Sequence, residues 1–107
     1  MFARIVELRC YSGQCEAARR TIQEKIMPIL KKQRGFSDAI TLASGHDPDR
    51  VLGISFWNSR ADAESYHRQE YGLIVEMLRN FCRADPRVET FEVDSSTLHH
   101  IVMGKAA

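Results

Sequence analysis

The sequence predicts an α+β fold: a ferredoxin-like βαββαβ sandwich with one antiparallel four-stranded sheet and two helices on one face. Three observations carry this reading. Segments of period two and period 3.6 follow each other in the order strand–helix–strand–strand–helix–strand. The third strand segment, Arg50 to Trp57, is apolar on both faces, as a strand covered on both sides has to be. A length of 107 residues suits one core and leaves too little chain for a second.

Each element has its own signal. Over residues 2–10, Val6, Leu8 and Cys10 alternate with Glu7 and Arg9, which predicts the first strand. Tyr11-Ser-Gly-Gln breaks the alternation as a turn. From Cys15 to Gln33 the residues Ala18, Ile22, Ile26, Ile29 and Leu30 recur at helical spacing. Pro28 removes a backbone donor inside this run, so a kink or break is expected near Met27. Gly35 follows the basic last turn, where a left-handed cap is wanted. Residues 36–44 read as the second strand, with Phe36, Ile40 and Leu42 on one face and Ala39 and Thr41 on the other. Gly45-His-Asp-Pro-Asp is a hairpin connection to the third strand.

Ser59 is placed to cap the second helix, with Asp62 completing an approximate capping box. That helix is expected to run to about Cys82, interrupted near Gln69–Gly72, with Leu73, Ile74, Met77, Leu78 and Phe81 forming its later apolar face. Asp85-Pro86 ends it, and Val88–Asp94 forms the fourth strand. The domain is thus residues 1–95. The tail, 96–107, has one apolar cluster (Leu98, Ile101, Val102 and Met103) and is read as an extra edge strand or one swapped between protomers. Two helices cover one sheet face and leave the other apolar, so a homodimer follows from the pattern.

Composition narrows the function classes. Hydrophobic residues make up 44% and charged residues 27%, an ordinary globular balance. No apolar run reaches bilayer length, and the start lacks a signal-peptide pattern, so a cytoplasmic protein without membrane contact is expected. Residues 1–35 hold 8 Lys and Arg against 3 acidic residues. Much of that charge ends a helix at Lys31-Lys32-Gln33-Arg34, where the helix dipole favours it. Exposed aromatics interleaved with positive charge are missing, which argues against nucleic acid. Three cysteines without a Cys-x-x-Cys pair argue against a disulfide framework and a zinc site. Cys10 and Cys82 are expected to be inert core thiols, and Cys15 lies near a helix N-terminus. Neither a phosphate loop nor a dinucleotide fingerprint occurs, and no metal or cofactor is expected.

Gly35-Phe36 opening the second strand, Ile54-Ser-Phe-Trp57-Asn-Ser closing the third, Ala61…Ala63…Tyr66-His67 on the second helix and the later Tyr71 resemble the antibiotic-biosynthesis-monooxygenase (ABM) domain family of the dimeric α/β-barrel superfamily. The resemblance covers roughly residues 2 to 94. It implies two ferredoxin-like sheets paired face to face into a barrel, with a ligand pocket between each sheet and its own helices. It also implies a range of activities, from quinol or anthrone oxidation by molecular oxygen without flavin or metal to haem degradation and sugar-phosphate processing. The haem-degrading pattern is absent: Tyr66 and Glu76 stand at its helix positions, and the first strand has no Asn. The strand-end Trp of the anthrone-oxidising members is matched by Trp57, while Gly53 occupies the position of their Asn. His67 followed by an aromatic fits the quinol-oxidising and sugar-processing branches.

The site expected on this basis has His67 as general base, since an imidazole takes a phenolic proton near neutral pH. Trp57 is a wall of a flat aromatic pocket, or alternatively a core or interface anchor. Ser55, two residues earlier on the same face, and Tyr71 supply polar contacts, and Tyr66 supplies packing. Arg4 and Arg9 either steer an anionic or phenolate substrate or are simply solvated. The expected function is cofactor-independent oxidation of a small aromatic or quinol-type substrate. The alternative is a non-catalytic dimeric barrel that binds a small metabolite or has a stress-related role.

Overall fold

A computed structural model of the chain describes residues 1–102 and 104–106, with the backbone alone for Lys105 and Ala106. Strands β1 (Phe2–Arg9), β2 (Phe36–Ala43), β3 (Arg50–Trp57) and β4 (Arg87–Glu92) form one antiparallel sheet in the order β2-β3-β1-β4. The predicted ferredoxin-like sandwich is therefore the observed architecture. The doubly apolar β3 is an interior strand, as its pattern requires. Val51 and Trp57, both fully buried, face the helices along with Ser55.

The first helix is built in three pieces: α1 (Cys15–Thr21), a π-helical turn (Ile22–Ile26) and α2 (Met27–Lys31). Pro28 explains the division. Its ring collides with the carbonyl four residues back in a regular α-helix. The wide turn relieves this, and the Met27 N–H reaches back five residues to the Ile22 carbonyl. Gly35 then takes φ +78°, and a Cβ there would run into the Asp62 carboxylate. Glycine is required at that position twice over, for its conformation and for its lack of bulk.

Ser59 caps α3 (Arg60–Gln69), its Oγ accepting from the Asp62 N–H at 3.2 Å and donating to the Asp62 carboxylate at 3.0 Å. Glu70, at φ −123° and ψ −25°, separates α3 from α4 (Tyr71–Leu78), which is the interruption expected near Gln69–Gly72.

The face assignment of Phe36 is corrected. A bulge between Phe36 and Asp38 shifts the register, so Phe36 pairs with Trp57 and packs edge-on to it at 5.6 Å. Ile40 and Leu42 keep the opposite, open face. There Ile40, Ile54 and Ile5 line up across three strands. Ile40, Leu42 and Phe91 remain 40–48% exposed.

The described residues of the tail add no strand to the four-stranded sheet. Strands β5 (Ile101–Val102) and β6 (Lys105–Ala106) pair with each other, and His99 packs against Phe56 with ring centroids 5.1 Å apart. Met103 of the predicted apolar cluster lies outside the described residues.

Candidate functional site

Strand register decides which side chains share the helix-covered side of the sheet. Along β1 these are Phe2, Arg4, Val6 and Leu8, set beside Trp57, Ser55, Gly53 and Val51 of β3 in that order. Ala39 and Thr41 continue the rows on β2. Between these rows and the helices lies a cavity of about 70 Å³, walled largely by aliphatic side chains such as Ile22, Ile26, Leu30 and Ile74. Gly53 leaves one wall open, since a Cβ there would meet no atom within 4 Å.

Of the two readings offered for Arg4, a substrate-steering residue or a solvated one, burial removes the second: Arg4 is only 3% exposed. Its Nη1 donates to His67 Nδ1 at 3.0 Å. Its guanidinium carbon lies 5.3 Å from the ring centroid of Tyr66 and 4.9 Å from that of Tyr71. Among the described residues its Nη2 has no hydrogen-bond partner, and neither does the buried hydroxyl of Tyr71. The signal was available in the sequence: Arg4 has the same parity as Val6, Leu8 and Cys10, the inward side of β1.

An arginine can only donate, so His67 Nδ1 accepts and its proton sits on Nε2. Burial first, and then the Arg4 charge, lowers the His67 pKa below its ordinary value. The imidazole is therefore neutral at neutral pH. Burial likewise lowers the Arg4 pKa. Tyr66 is pushed up to about 12 by burial, and Tyr71 is raised by the same cause, so both phenols keep their protons.

The five residues singled out from the sequence separate into three groups. Ser55, Tyr66 and Tyr71 line the cavity together with Arg4. His67 lies across Arg4 in an outer groove with Phe2, Arg60, Arg68 and Thr90, its ring stacked on Tyr71 at 4.9 Å. Trp57 stands behind Tyr66, stacked on it at 4.9 Å and 27°, and its Nε1 donates to Ser55 Oγ at 2.9 Å. With no exposed surface, Trp57 backs the pocket wall instead of forming its lining.

Neither a protein-family model nor a curated protein matches the chain. Solved structures do. A protein described as an antibiotic biosynthesis monooxygenase from Nitrosomonas europaea is 16% identical, with a TM-score of 0.72 over 85% of this chain and 96% of its own. One so described from Deinococcus radiodurans is 11% identical, with a TM-score of 0.76 over 90% and 95%. A Streptomyces coelicolor monooxygenase in complex with the ligand nanaomycin D is 13% identical, with a TM-score of 0.76 over 89% and 88%. The chain has the ABM fold.

Within this ABM fold the cysteines are packing residues. Cys10, Cys15 and Cys82 are all buried and unpaired. Burial and the two neighbouring thiols push Cys10 up to about 12, and burial raises Cys82. Among the described residues, no group of three or more His, Cys, Asp or Glu is arranged to hold a metal ion. No described helix of this ABM-fold chain is long and apolar enough to cross a membrane.

Proposed function

We propose that this ABM-fold protein is a cytoplasmic, cofactor-independent oxygenase acting on a small aromatic or quinol-type substrate. One observation carries the reading: the residues lining an apolar cavity include a buried arginine with an unused N–H, beside two neutral tyrosines. An electron-rich quinol or anthrone, once deprotonated, passes an electron to oxygen without help from a metal or flavin. The protein then supplies anion stabilisation, orientation and a dry cavity. For a ring methylene, one oxygen atom becomes the new carbonyl and the other leaves as water with both hydrogens.

In this proposal Arg4 Nη2 takes the new oxyanion while Nη1 releases the imidazole, and the substrate proton passes to His67 Nδ1. Ser55 and Tyr71 position the substrate oxygen, Tyr66 forms the aromatic wall and Trp57 holds Tyr66 in place. Oxygen consumption by metal-stripped protein is expected with hydroquinones, anthrones or catechols, above autoxidation. The His67→Ala variant is expected to fall by about 10²-fold, the lower end of general-base contributions. Unchanged turnover in that variant removes the base assignment.

A second reading has a specific observation behind it. The His67 Nδ1 lone pair is occupied by Arg4, and His67 lines the outer groove instead of the cavity. That favours a protein that binds a small metabolite without turning it over, and ligand binding without oxygen uptake would establish it.

We also propose that a second copy of the chain covers the open sheet face, where the Ile40–Ile54–Ile5 row and the exposed Leu42 and Phe91 lie. Sedimentation is expected to give a dimer for the native chain and a monomer for the Ile40→Glu, Leu42→Glu double variant. A native monomer at tens of micromolar overturns it.

A further inference from the structure

The Arg4 guanidinium has an unusual set of partners. It sits mid-sheet, opposite Ser55 of β3 and Thr90 of β4, and is almost entirely buried. Among the described residues it takes part in no ion pair. The two tyrosine rings attract it through their π faces, which uses no N–H. His67 takes one edge through Nη1, leaving Nη2 without a partner. The Tyr71 hydroxyl on the same cavity is likewise unpartnered. Two unpartnered donors thus belong to residues that line one apolar cavity. A buried cation with no carboxylate is expensive to fold around, and a planar guanidinium edge matches an oxyanion.

We propose that Arg4 is the oxyanion-recognising residue of this cavity, which takes small monoanions: an apolar body with one carboxylate, enolate or phenolate group, held by Arg4 Nη2 and the Tyr71 hydroxyl. This rests on the cavity being the ligand site, as the proposed function has it, and not on oxygen chemistry. His67 is a positioning residue here. As the Nε2–H tautomer it accepts from Nη1 and turns the free edge of the guanidinium toward the cavity. Neutral isosteres and dianions are disfavoured, the first for lack of charge and the second because one cation is left facing two negative charges in an apolar site.

The test is calorimetric titration of the full chain with benzoate and 4-nitrophenolate, against the neutral isosteres benzamide and 4-nitroanisole. Each anion is expected to bind at least about tenfold more tightly than its neutral counterpart. Bound 4-nitrophenol, followed by its visible absorbance, is expected to ionise about one pH unit or more below the free compound, the shift an adjacent cation gives. Preference for 4-nitrophenolate alone assigns phenolates, and preference for both anions extends the class to carboxylates.

Arg4→Met is expected to abolish the preference and the ionisation shift, and Arg4→Lys to keep part of both. His67→Asn, whose amide oxygen can accept from Nη1, is expected to retain the preference that His67→Leu weakens. If Arg4→Met fails to fold, Arg4→Gln and the native-protein comparison still decide the matter. Equal binding of charged and neutral probes, or no binding of either anion, overturns the proposal. Anion preference without oxygen uptake leaves it standing and removes the oxygenase reading alone. Oxygen uptake without anion preference does the reverse.

Discussion

Trp57→Ala is expected to lower the free energy of unfolding by about 3–5 kcal/mol, the range for deleting a large buried aromatic. The indole has no exposed surface and contacts ring systems from two other elements: Tyr66 stacked at 4.9 Å and Phe36 edge-on at 5.6 Å. Its removal leaves a cavity between the end of the sheet and α3 and takes the donor away from Ser55. Against a total of about 5–15 kcal/mol for a domain, that is a large share. Trp57→Phe keeps most of the packing and loses the N–H, so a cost of about 1–2 kcal/mol is expected. Denaturant unfolding measures both. A Trp57→Ala stability within about 1 kcal/mol of native would mean that the indole is dispensable to the core and belongs to ligand recognition, as a pocket-lining residue would.

Arg4→Met is expected to act with opposite signs on stability and recognition. Replacing buried charges by apolar groups of similar volume is often neutral or stabilising by about 1–4 kcal/mol, even where the charges are paired. Arg4 has no carboxylate partner among the described residues, so the desolvation of its charge is poorly offset. The substitution removes one hydrogen bond to His67 and the cation–π attraction of two tyrosine rings. A thioether in the same place packs well against the Tyr66 and Tyr71 rings. A gain of about 1–2 kcal/mol is expected, seen as a rise of several degrees in the thermal midpoint. A loss of more than about 1 kcal/mol would make Arg4 a structural residue whose present partners repay its burial.

The architecture was legible because its signals are local and periodic. The capped start at Ser59, the break near Glu70 and the doubly apolar β3 all follow from spacing within one segment. The face of Phe36 was not legible, because a bulge shifts parity by one residue and leaves no mark in the alternation. The wide turn before Pro28 was half legible: the proline announced a disturbance, and the helix met it by widening.

At the site, the resemblance drew attention to Trp57 and His67, and geometry gave the central position to Arg4. The parity that Arg4 shares with Val6 and Leu8 was an unused signal for the inside. Residue type argued for the surface, and residue type was the weaker guide. Which side of Arg4 a neighbour on α3 occupies depends on how the helix is rotated against the sheet, and no single segment encodes that.

The break at Glu70 also bears on how the molecule moves. Tyr66 and His67 belong to α3 and Tyr71 to α4, and a residue outside helical geometry separates the two segments. Two short helices joined in this way can open one at a time, with α4 lifting from the sheet while α3 remains seated. By reaching both tyrosines, Arg4 ties those segments together. A molecule held at that point adds a further tie. With a ligand held at the proposed site, slower amide hydrogen exchange along Tyr71–Leu78 is the expected result.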